Sequence, residues 1–260
     1  MKWVLITGAT GTIGSAICEI LSKNNFDLIL GGRDEIKLNQ LKQNLEKKYN
    51  ISCLVFLADL RSKNSIRQAI NNLFSKNKIK LYALINNASE TPKSKIITEE
   101  GLECQFAVNI LGYHRMIAYL QDYFQEDARI VNVASYWAGD LDLSDLQFEK
   151  RPYHNHTAYR QSKQAERMLT VIWSEILKEK NILVNACHPG DANSKLSNDL
   201  GFGGFESPIV AADTPAYLIY SEEIKSITGK YFEHRKIVAD PFSRDIHQIK
   251  KLFEICNKYL

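Results

Sequence analysis

The sequence contains no apolar run of the roughly 18 residues that a transmembrane helix requires. It does not begin with a basic region followed by a long apolar segment, so we expect no secretory signal peptide. Its five cysteines are widely scattered, which fits neither a disulfide framework nor the spacing of metal ligands. These absences together predict a cytoplasmic protein whose cysteines are buried thiols.

An excess of either charge is also missing, since 33 basic residues stand against 30 acidic ones and no basic cluster is long. This balance argues against nucleic acid or an anionic membrane as a partner. His154 and His156 lie near several aspartates, but without the close spacing of a metal site, so we expect no metal. No repeat, low-complexity tract or linker divides the chain, and we therefore expect residues 1–260 to form one domain.

What is present is a regular alternation of short apolar, β-branched runs with longer amphipathic ones. Continuous apolar runs predict strands buried on both faces, as in a parallel sheet covered by helices. We therefore predict a single doubly wound α/β domain of Rossmann type, with about seven mostly or fully parallel strands flanked by helices on both faces. The predicted strands are residues 2–6, 27–31, 52–57, 81–85, 129–134 and 182–187, and the predicted helices are about 13–24, 34–48, 62–76, 98–124, 158–180 and 245–259.

The first predicted strand leads into a glycine-rich turn, TGATGTIG, from Thr7 to Gly14. Its spacing, G-x-x-G-x-x-G, matches neither the dinucleotide fingerprint G-x-G-x-x-G nor the phosphate loop G-x-x-x-x-G-K-[ST]. A glycine turn between a strand and a helix nevertheless suits a pyrophosphate, which backbone N–H groups and a helix N-terminus bind. Gly8 would permit the turn, Gly11 the approach of the phosphates and Gly14 close packing of the helix. On its own, this loop predicts either a nucleotide site or a simple turn.

The end of the second strand, LILGGRDE, indicates which dinucleotide is favoured. A carboxylate about 20 residues past the glycine turn would bind the ribose 2'-hydroxyl of NAD, whereas an arginine accommodates the 2'-phosphate of NADP. Here Arg33 follows the strand, and no acidic residue stands at Gly31 or Gly32. Because a guanidinium is planar and permanently charged, it suits a phosphate. The sequence therefore favours NADP(H) over NAD(H).

The segment TAYRQSKQAERML places Tyr159 and Lys163 four residues apart at the start of a predicted helix. Residues at this spacing share one face of a helix. An ammonium close to a phenol stabilises the phenolate and lowers the phenol pKa from its ordinary value of about 10. Tyr159 is therefore a candidate general acid or base, although a surface pair would show the same spacing.

Further motifs follow in order along the chain, namely the strand-end Asp59, INNAS at 85–89, Asn109, IVNVAS at 130–135 and HPG at 188–190. Together with TGATGTIG and AYRQSK, their order and spacing resemble the short-chain dehydrogenase/reductase family, from Lys2 to about Phe232. Within that family the chain is most similar to the branch of retinol dehydrogenases and WW-domain oxidoreductases. The stretches LGGRDEIK, GLECQFAVNILGYHRM, LVNACHPG and SITGKYF carry this similarity, as does the long segment between Ser135 and Tyr159.

The resemblance implies a catalytic set of Asn109, Ser135, Tyr159 and Lys163. Tyr159 would exchange a proton with the substrate oxygen, and Ser135 would hydrogen-bond that oxygen. Lys163 would bind the nicotinamide ribose and lower the tyrosine pKa, while Asn109 would hold a water that links Lys163 to solvent.

The resemblance also implies a set of cofactor contacts. Asp59 is expected to contact adenine, Asn87 and Ala88 to line the adenosine side, and the loop after Pro189 to close over the nicotinamide. The expected cofactor-binding residues are Gly8, Thr10, Gly11, Thr12, Ile13, Gly14, Arg33, Asp59, Leu60, Asn87, Ala88, Tyr159, Lys163, Pro189, Gly190 and Ser194.

Three residues depart from the family pattern without removing a catalytic group. Thr12 stands at the position of the middle glycine of the usual turn, Ser89 replaces the glycine of N-N-A-G, and Asp191 follows HPG where apolar residues are common. Residues 191–212 are expected to form a mobile substrate flap. Four large apolar residues either line a substrate pocket or pack in the core, and they are Trp137, Leu196, Phe202 and Phe205.

We therefore expect an NADP(H)-dependent enzyme that transfers a hydride between nicotinamide and a lipophilic aldehyde, ketone or alcohol. A homodimer is a further hypothesis, because the helices at 98–124 and 158–180 form the pairing face in many relatives. Two alternatives remain open. A sugar-nucleotide epimerase or dehydratase of the longer family branch shares the pattern T-G-x-x-G-x-x-G but adds a C-terminal substrate domain. A catalytically silent NADP-sensing interaction protein would commonly lack the Tyr or the Lys.

Overall fold

The computed structural model describes residues 2–260, and eight strands within it form one sheet. The strands are β1 (Trp3–Thr7), β2 (Asp27–Gly32), β3 (Cys53–Leu57), β4 (Leu81–Asn86), β5 (Phe124–Val133), β6 (Leu183–Cys187), β7 (Tyr231–Glu233) and β8 (Lys236–Val238). Their order across the sheet is β3-β2-β1-β4-β5-β6-β7-β8. All neighbours pair in parallel except β7 and β8, which form an antiparallel hairpin at one edge. The predicted doubly wound, mostly parallel α/β fold is confirmed.

Helices cover both faces of this sheet. They are α1 (Thr12–Lys23), α2 (Glu35–Lys48), α3 (Lys63–Lys76), α4 (Tyr113–Leu120), α5 (Asn155–Ile176), α6 (Lys195–Asp199), α7 (Pro208–Tyr220) and α8 (Ile246–Asn257). Side chains alternate across the sheet, so Val4 and Ile6 pack with α1 and α7, whereas Leu5 packs with the layer of α3, α4 and α5. Both layers are closed apolar cores, which explains why the central strands are apolar without alternation.

Two element boundaries differ by five residues or more from those predicted from the sequence. The helix expected from residue 98 is helical only from residue 104, because Gly101 takes a positive φ of 75° and Ile97 bridges to Glu103. It then runs through a π-helical segment, Phe106–Gly112, into α4. Strand β5 begins at Phe124, five residues earlier than predicted, because Phe124 pairs with Leu81 ahead of an irregularity in the register.

The residues after Gly190 complete this same domain. They contribute α6, α7, the β7–β8 hairpin and α8, and no separate substrate domain occurs among residues 2–260. Part of the expected flap, 191–212, is α6, which begins with a reciprocal capping box between Ser194 and Ser197. Its mobility stays a prediction.

Helix α8 covers the layer in which we expected a dimer face. Phe253 of α8 packs edge-on against His114 of α4 and Trp173 of α5. The expected dimer face is therefore covered in part by α8 of the same chain, and the homodimer stays a hypothesis. Between Lys2 and Leu260, none of the helices combines the length and the apolar character needed to cross a bilayer.

Candidate active site

A cavity of about 790 Å³ opens at the carboxyl ends of the six strands β1 to β6. Parallel strands that end at one edge of a sheet place such clefts there. Every cofactor-binding residue that we expected from the sequence lines this cavity. Of the catalytic set, Ser135, Tyr159 and Lys163 line it, whereas Asn109 lies behind its wall.

The glycine turn shapes one end of the cavity. Gly8 adopts a positive φ of 67°, and a Cβ on Gly14 would collide with the Gly8 carbonyl oxygen, so α1 packs directly on the turn. Helix α1 begins at Thr12 with Gly11 as its N-cap, and no side chain caps its first N–H groups. Those free donors at a helix N-terminus fit the pyrophosphate of a dinucleotide.

Thr7 and Asn87 hold this turn against β4. The Asn87 side-chain amide donates to the carbonyl of Thr7 at 2.9 Å and to that of Gly8 at 3.3 Å. In return, the Thr7 hydroxyl accepts from the backbone N–H of Asn87 and of Ala88, at 2.9 and 3.1 Å. The side chain of Asn87 thus fixes the turn. Thr7 was not among the predicted site residues, although it is the first letter of TGATGTIG.

Ion pairs surround the adenosine end of the cavity. The Arg33 guanidinium lies 2.6 Å from the Glu90 carboxylate, with the two side chains 50% and 30% exposed. The Asp59 carboxylate accepts hydrogen bonds from the backbone N–H and from the guanidinium of Arg61. Burial raises the pKa of Asp59, but its hydrogen bonds with Arg61 outweigh this effect and hold the pKa below its ordinary value. Arg33 and Asp59, the two charged residues predicted for this end, therefore each have a partner of opposite charge.

Tyr159 and Ser135 form the chemical centre. Tyr159 lies in the first turns of α5, Ser135 lies two residues after β5, and both are buried in the cavity wall. Burial raises the pKa of the Tyr159 phenol well above its ordinary value, the neighbouring Ser135 hydroxyl lowers it, and the charges of Glu166 and Asp191 raise it further. This net direction is opposite to the lowering that we expected from Lys163.

Glu166 accounts for part of that difference. The Lys163 ammonium lies 5.5 Å from the centre of the Tyr159 ring but donates to both carboxylate oxygens of Glu166, at 2.9 and 3.0 Å, and to the Val133 carbonyl at 2.9 Å. Burial raises the pKa of Glu166 to about 8, and the nearby ammonium opposes this rise. Glu166 was missed because nothing in the sequence distinguishes it from a surface glutamate except its distance of three positions from Lys163.

Asn109 connects the catalytic helix with the adenosine side. It is fully buried in the π-helical segment, accepts from the backbone N–H of Glu90 at 2.9 Å and donates to the Glu90 carbonyl at 3.0 Å. It also donates to the Ser162 hydroxyl at 3.2 Å. These hydrogen bonds link α5 to the backbone of Glu90. The expectation that Asn109 holds a water stays a prediction.

Apolar side chains line the other end of the cavity. Trp137 and Phe202 pack edge to face with ring centres 5.0 Å apart, and Leu196 and Phe205 also face the opening. At the rim, the Tyr136 hydroxyl donates to Asp191 at 3.2 Å. His188 lies 3.7 Å from the same carboxylate, but burial lowers the pKa of His188 to about 4, so no ion pair forms at neutral pH.

Comparison with known proteins agrees with this geometry. The family model for short chain dehydrogenases matches residues 2–201. Mouse (Mus musculus) retinol dehydrogenase 13 is 32% identical over 97% of this chain and 81% of its own length. Among solved structures, an uncharacterised protein from Mycobacterium paratuberculosis superimposes with a TM-score of 0.81 at 23% identity, over 99% of this chain and 94% of that one. A short chain dehydrogenase from Burkholderia cenocepacia, solved in complex with NADP, gives a TM-score of 0.72 at 20% identity, over 89% and 95% of the two chains.

The family match covers far more than half of the chain, and the relationship to retinol dehydrogenases extends over nearly all of it. The uncapped helix N-terminus and the close-packed glycine turn fit the nicotinamide dinucleotide on which this family depends. The chain therefore belongs to the short-chain dehydrogenase/reductase family of oxidoreductases, on the branch that contains the retinol dehydrogenases.

Proposed function

We propose that this protein is an NADP(H)-dependent oxidoreductase that interconverts a lipophilic aldehyde or ketone with its alcohol. The observation that carries the proposal is the buried pair of Tyr159 and Ser135 on the wall of one cavity, between a phosphate-type glycine turn and an apolar pocket. When bound, the nicotinamide supplies the hydride for reduction or takes it from the alcohol.

The protein's own groups would act on the substrate oxygen. The Ser135 hydroxyl donates a hydrogen bond that stabilises negative charge on that oxygen, and Tyr159 supplies the proton. Because burial raises the pKa of Tyr159, the phenol keeps its proton at neutral pH. This protonation state favours Tyr159 as the acid of carbonyl reduction, whereas alcohol oxidation needs the phenolate and gains from higher pH.

The choice of NADP rests on Arg33 and Lys37, both of which line the adenosine end of the cavity. Two cations there would bind a 2'-phosphate, and the half-exposed Arg33 side chain can reach it. The NADP bound to the Burkholderia relative supports the same choice.

A lipophilic substrate is supported by the aromatic end of the cavity, where Trp137 and Phe202 face each other. The retinol dehydrogenases among the relatives act on a lipophilic alcohol by name, which agrees with such a pocket. A small to medium apolar carbonyl compound suits these walls, because its binding needs no ion pair with the protein.

The proposal is tested by following NADPH consumption with a panel of aldehydes and ketones. We expect turnover by the wild-type protein and at least a hundredfold lower kcat for Tyr159→Phe, with NADPH binding retained. Tyr220→Phe, on the partly buried side of α7 outside the cavity, is the matched control and should retain wild-type activity. Undiminished turnover by Tyr159→Phe would overturn the assignment, and tight NADPH binding without any turnover would indicate the silent sensor instead.

A further inference from the structure

Lys163 has no hydrogen-bond donor left for a ligand. A lysine ammonium carries three N–H donors. Its three acceptors within hydrogen-bonding distance are the Val133 carbonyl and the two carboxylate oxygens of Glu166. Any contact of Lys163 with a bound ribose therefore requires one of the Glu166 contacts to loosen.

Glu166 in turn depends on Lys163. Its side chain is 0% exposed, and an isolated carboxylate is strongly unfavourable in such surroundings. The titratable groups around it are Lys163 and Tyr159 on α5, Tyr113 on α4 and Cys187 on β6. Lys163 is the one cation in this set. Burial raises the pKa of both tyrosines and of the Cys187 thiol, and the charge of Glu166 raises each of them further.

We propose that Glu166 is a positioning residue that holds the Lys163 ammonium and, through its own charge, sets the pH at which Tyr159 releases its proton. This inference rests on the proposed role of Tyr159 as the acid and base of the reaction.

The net charge beside the phenol determines how readily Tyr159 releases its proton. With Glu166 protonated, the Lys163 charge acts on Tyr159 without compensation and favours the phenolate that alcohol oxidation needs. With Glu166 ionised, the Lys163–Glu166 pair is neutral as a whole, and Tyr159 releases its proton only at higher pH. Because burial raises the pKa of Glu166 to about 8, this carboxylate charge forms in mildly alkaline solution, where it delays the loss of the Tyr159 proton.

Replacing the carboxylate with a neutral amide of the same shape tests this coupling. In Glu166→Gln, the kcat of alcohol oxidation should reach its alkaline plateau about one pH unit lower than in the wild type. The neutral side chain should also tighten NADP binding several-fold, because it competes less strongly for Lys163.

Two further variants complete this test. Glu175→Gln, an exposed change on the same helix, should leave the pH profile unchanged. Glu166→Asp, which keeps the charge, should restore a profile close to that of the wild type. A Glu166→Gln profile that superimposes on the wild-type profile would overturn the proposal.

A second measurement needs no variant and no turnover. In wild-type protein labelled with ¹³C-glutamate, the side-chain carboxyl signal of Glu166 should titrate near pH 8. If the Glu166 signal titrates in the ordinary range of a glutamate, the inference fails. Its failure is distinguishable from failure of the proposed function, because that function is tested by Tyr159→Phe and does not affect this titration.

Discussion

Arg33 is the residue on which the choice between NADP and NAD is expected to depend, and its guanidinium is bound to Glu90. A 2'-phosphate would compete with that carboxylate for the same cation. The backbone of Glu90 is fixed by two hydrogen bonds to Asn109, so the carboxylate is held close to Arg33 even though both side chains are partly exposed. Glu90 therefore restrains NADP binding in this account.

Removing the charge of Glu90 should relieve this competition. We expect Glu90→Gln to lower the Kd for NADPH about fivefold to tenfold and to leave the Kd for NADH nearly unchanged. Arg33→Ala should weaken NADPH binding by tenfold or more, again with little effect on NADH. Titration calorimetry measures both, with Arg235→Ala in the surface ion pair to Asp213 as the control. Equal changes for the two cofactors would contradict the assignment of Arg33.

The two directions of the reaction should respond differently to pH, because Tyr159 must be protonated for one and ionised for the other. Burial raises the phenol pKa, so the protonated form persists through neutral and mildly alkaline solution. We expect kcat for reduction to stay flat from about pH 6 to 8, and kcat for oxidation to rise with pH over the same range. Initial rates in both directions across this range test the prediction. An oxidation rate that falls as pH rises would contradict the assignment of Tyr159 as the acid and base.

At the level of elements, the glycine turn shows how one short segment determines both packing and binding. Gly14 lies inside the contact between α1 and the turn, where a Cβ would meet the Gly8 carbonyl. Gly11 has an ordinary φ of −75°, and the Gly8 carbonyl oxygen at 3.3 Å is the one close neighbour of its Cβ. The two glycines thus have separable roles.

We expect Gly14→Ala to lower the free energy of unfolding by about 1–3 kcal/mol, since the helix must move away from the turn. Gly11→Ala should change stability by less than about 1 kcal/mol yet weaken NADPH binding, because its methyl group would occupy the space of the phosphates. Urea unfolding and calorimetry on both variants check this contrast. A Gly14→Ala protein as stable as the wild type would show that α1 can shift freely.

The elements that could be predicted from sequence are those with long apolar or amphipathic patterns, namely the six central strands and their flanking helices. The β7–β8 hairpin was missed because its strands have three residues each, which is too short to show a periodic pattern of apolar residues. Site residues after strand ends were predictable, since parallel strands converge at one edge. Glu90 and Glu166 were not, because their roles depend on which cation the fold places beside them.

At the level of the whole molecule, a buried histidine joins three helices behind the sheet. The indole N–H of Trp173 on α5 donates to Nδ1 of His114 on α4, at 3.2 Å, and Nε2 of His114 lies 2.9 Å from the Asn257 side-chain oxygen at the end of α8. Because an indole nitrogen only donates, Nδ1 must accept and Nε2 carries the proton. Protonation of Nδ1 would remove the hydrogen bond between Trp173 and His114.

Stability should therefore fall on mild acidification. Burial lowers the pKa of His114 from 6.5 to about 4, so below about pH 6.5 the unfolded chain binds the proton more readily than the folded one. The resulting loss of stability from His114 is about 2 kcal/mol at pH 5. His114→Gln should reduce the difference between the unfolding free energies at pH 7 and pH 5, whereas His247→Gln on the exposed side of α8 should not. Identical pH dependence in all three proteins would contradict this account.

The whole cavity acts as one site only if a dinucleotide bound at the glycine turn passes a hydride from its nicotinamide to a carbonyl held at Tyr159. The most direct test is to supply NADPH deuterated at C4 of the nicotinamide, together with an apolar aldehyde or ketone, and to analyse the alcohol by mass spectrometry. The account predicts deuterium on the carbinol carbon with the wild-type protein, and none above background with a Tyr159→Phe protein that still binds NADPH. Wild-type protein that binds NADPH but yields no deuterated alcohol, or equal transfer by Tyr159→Phe, would contradict it.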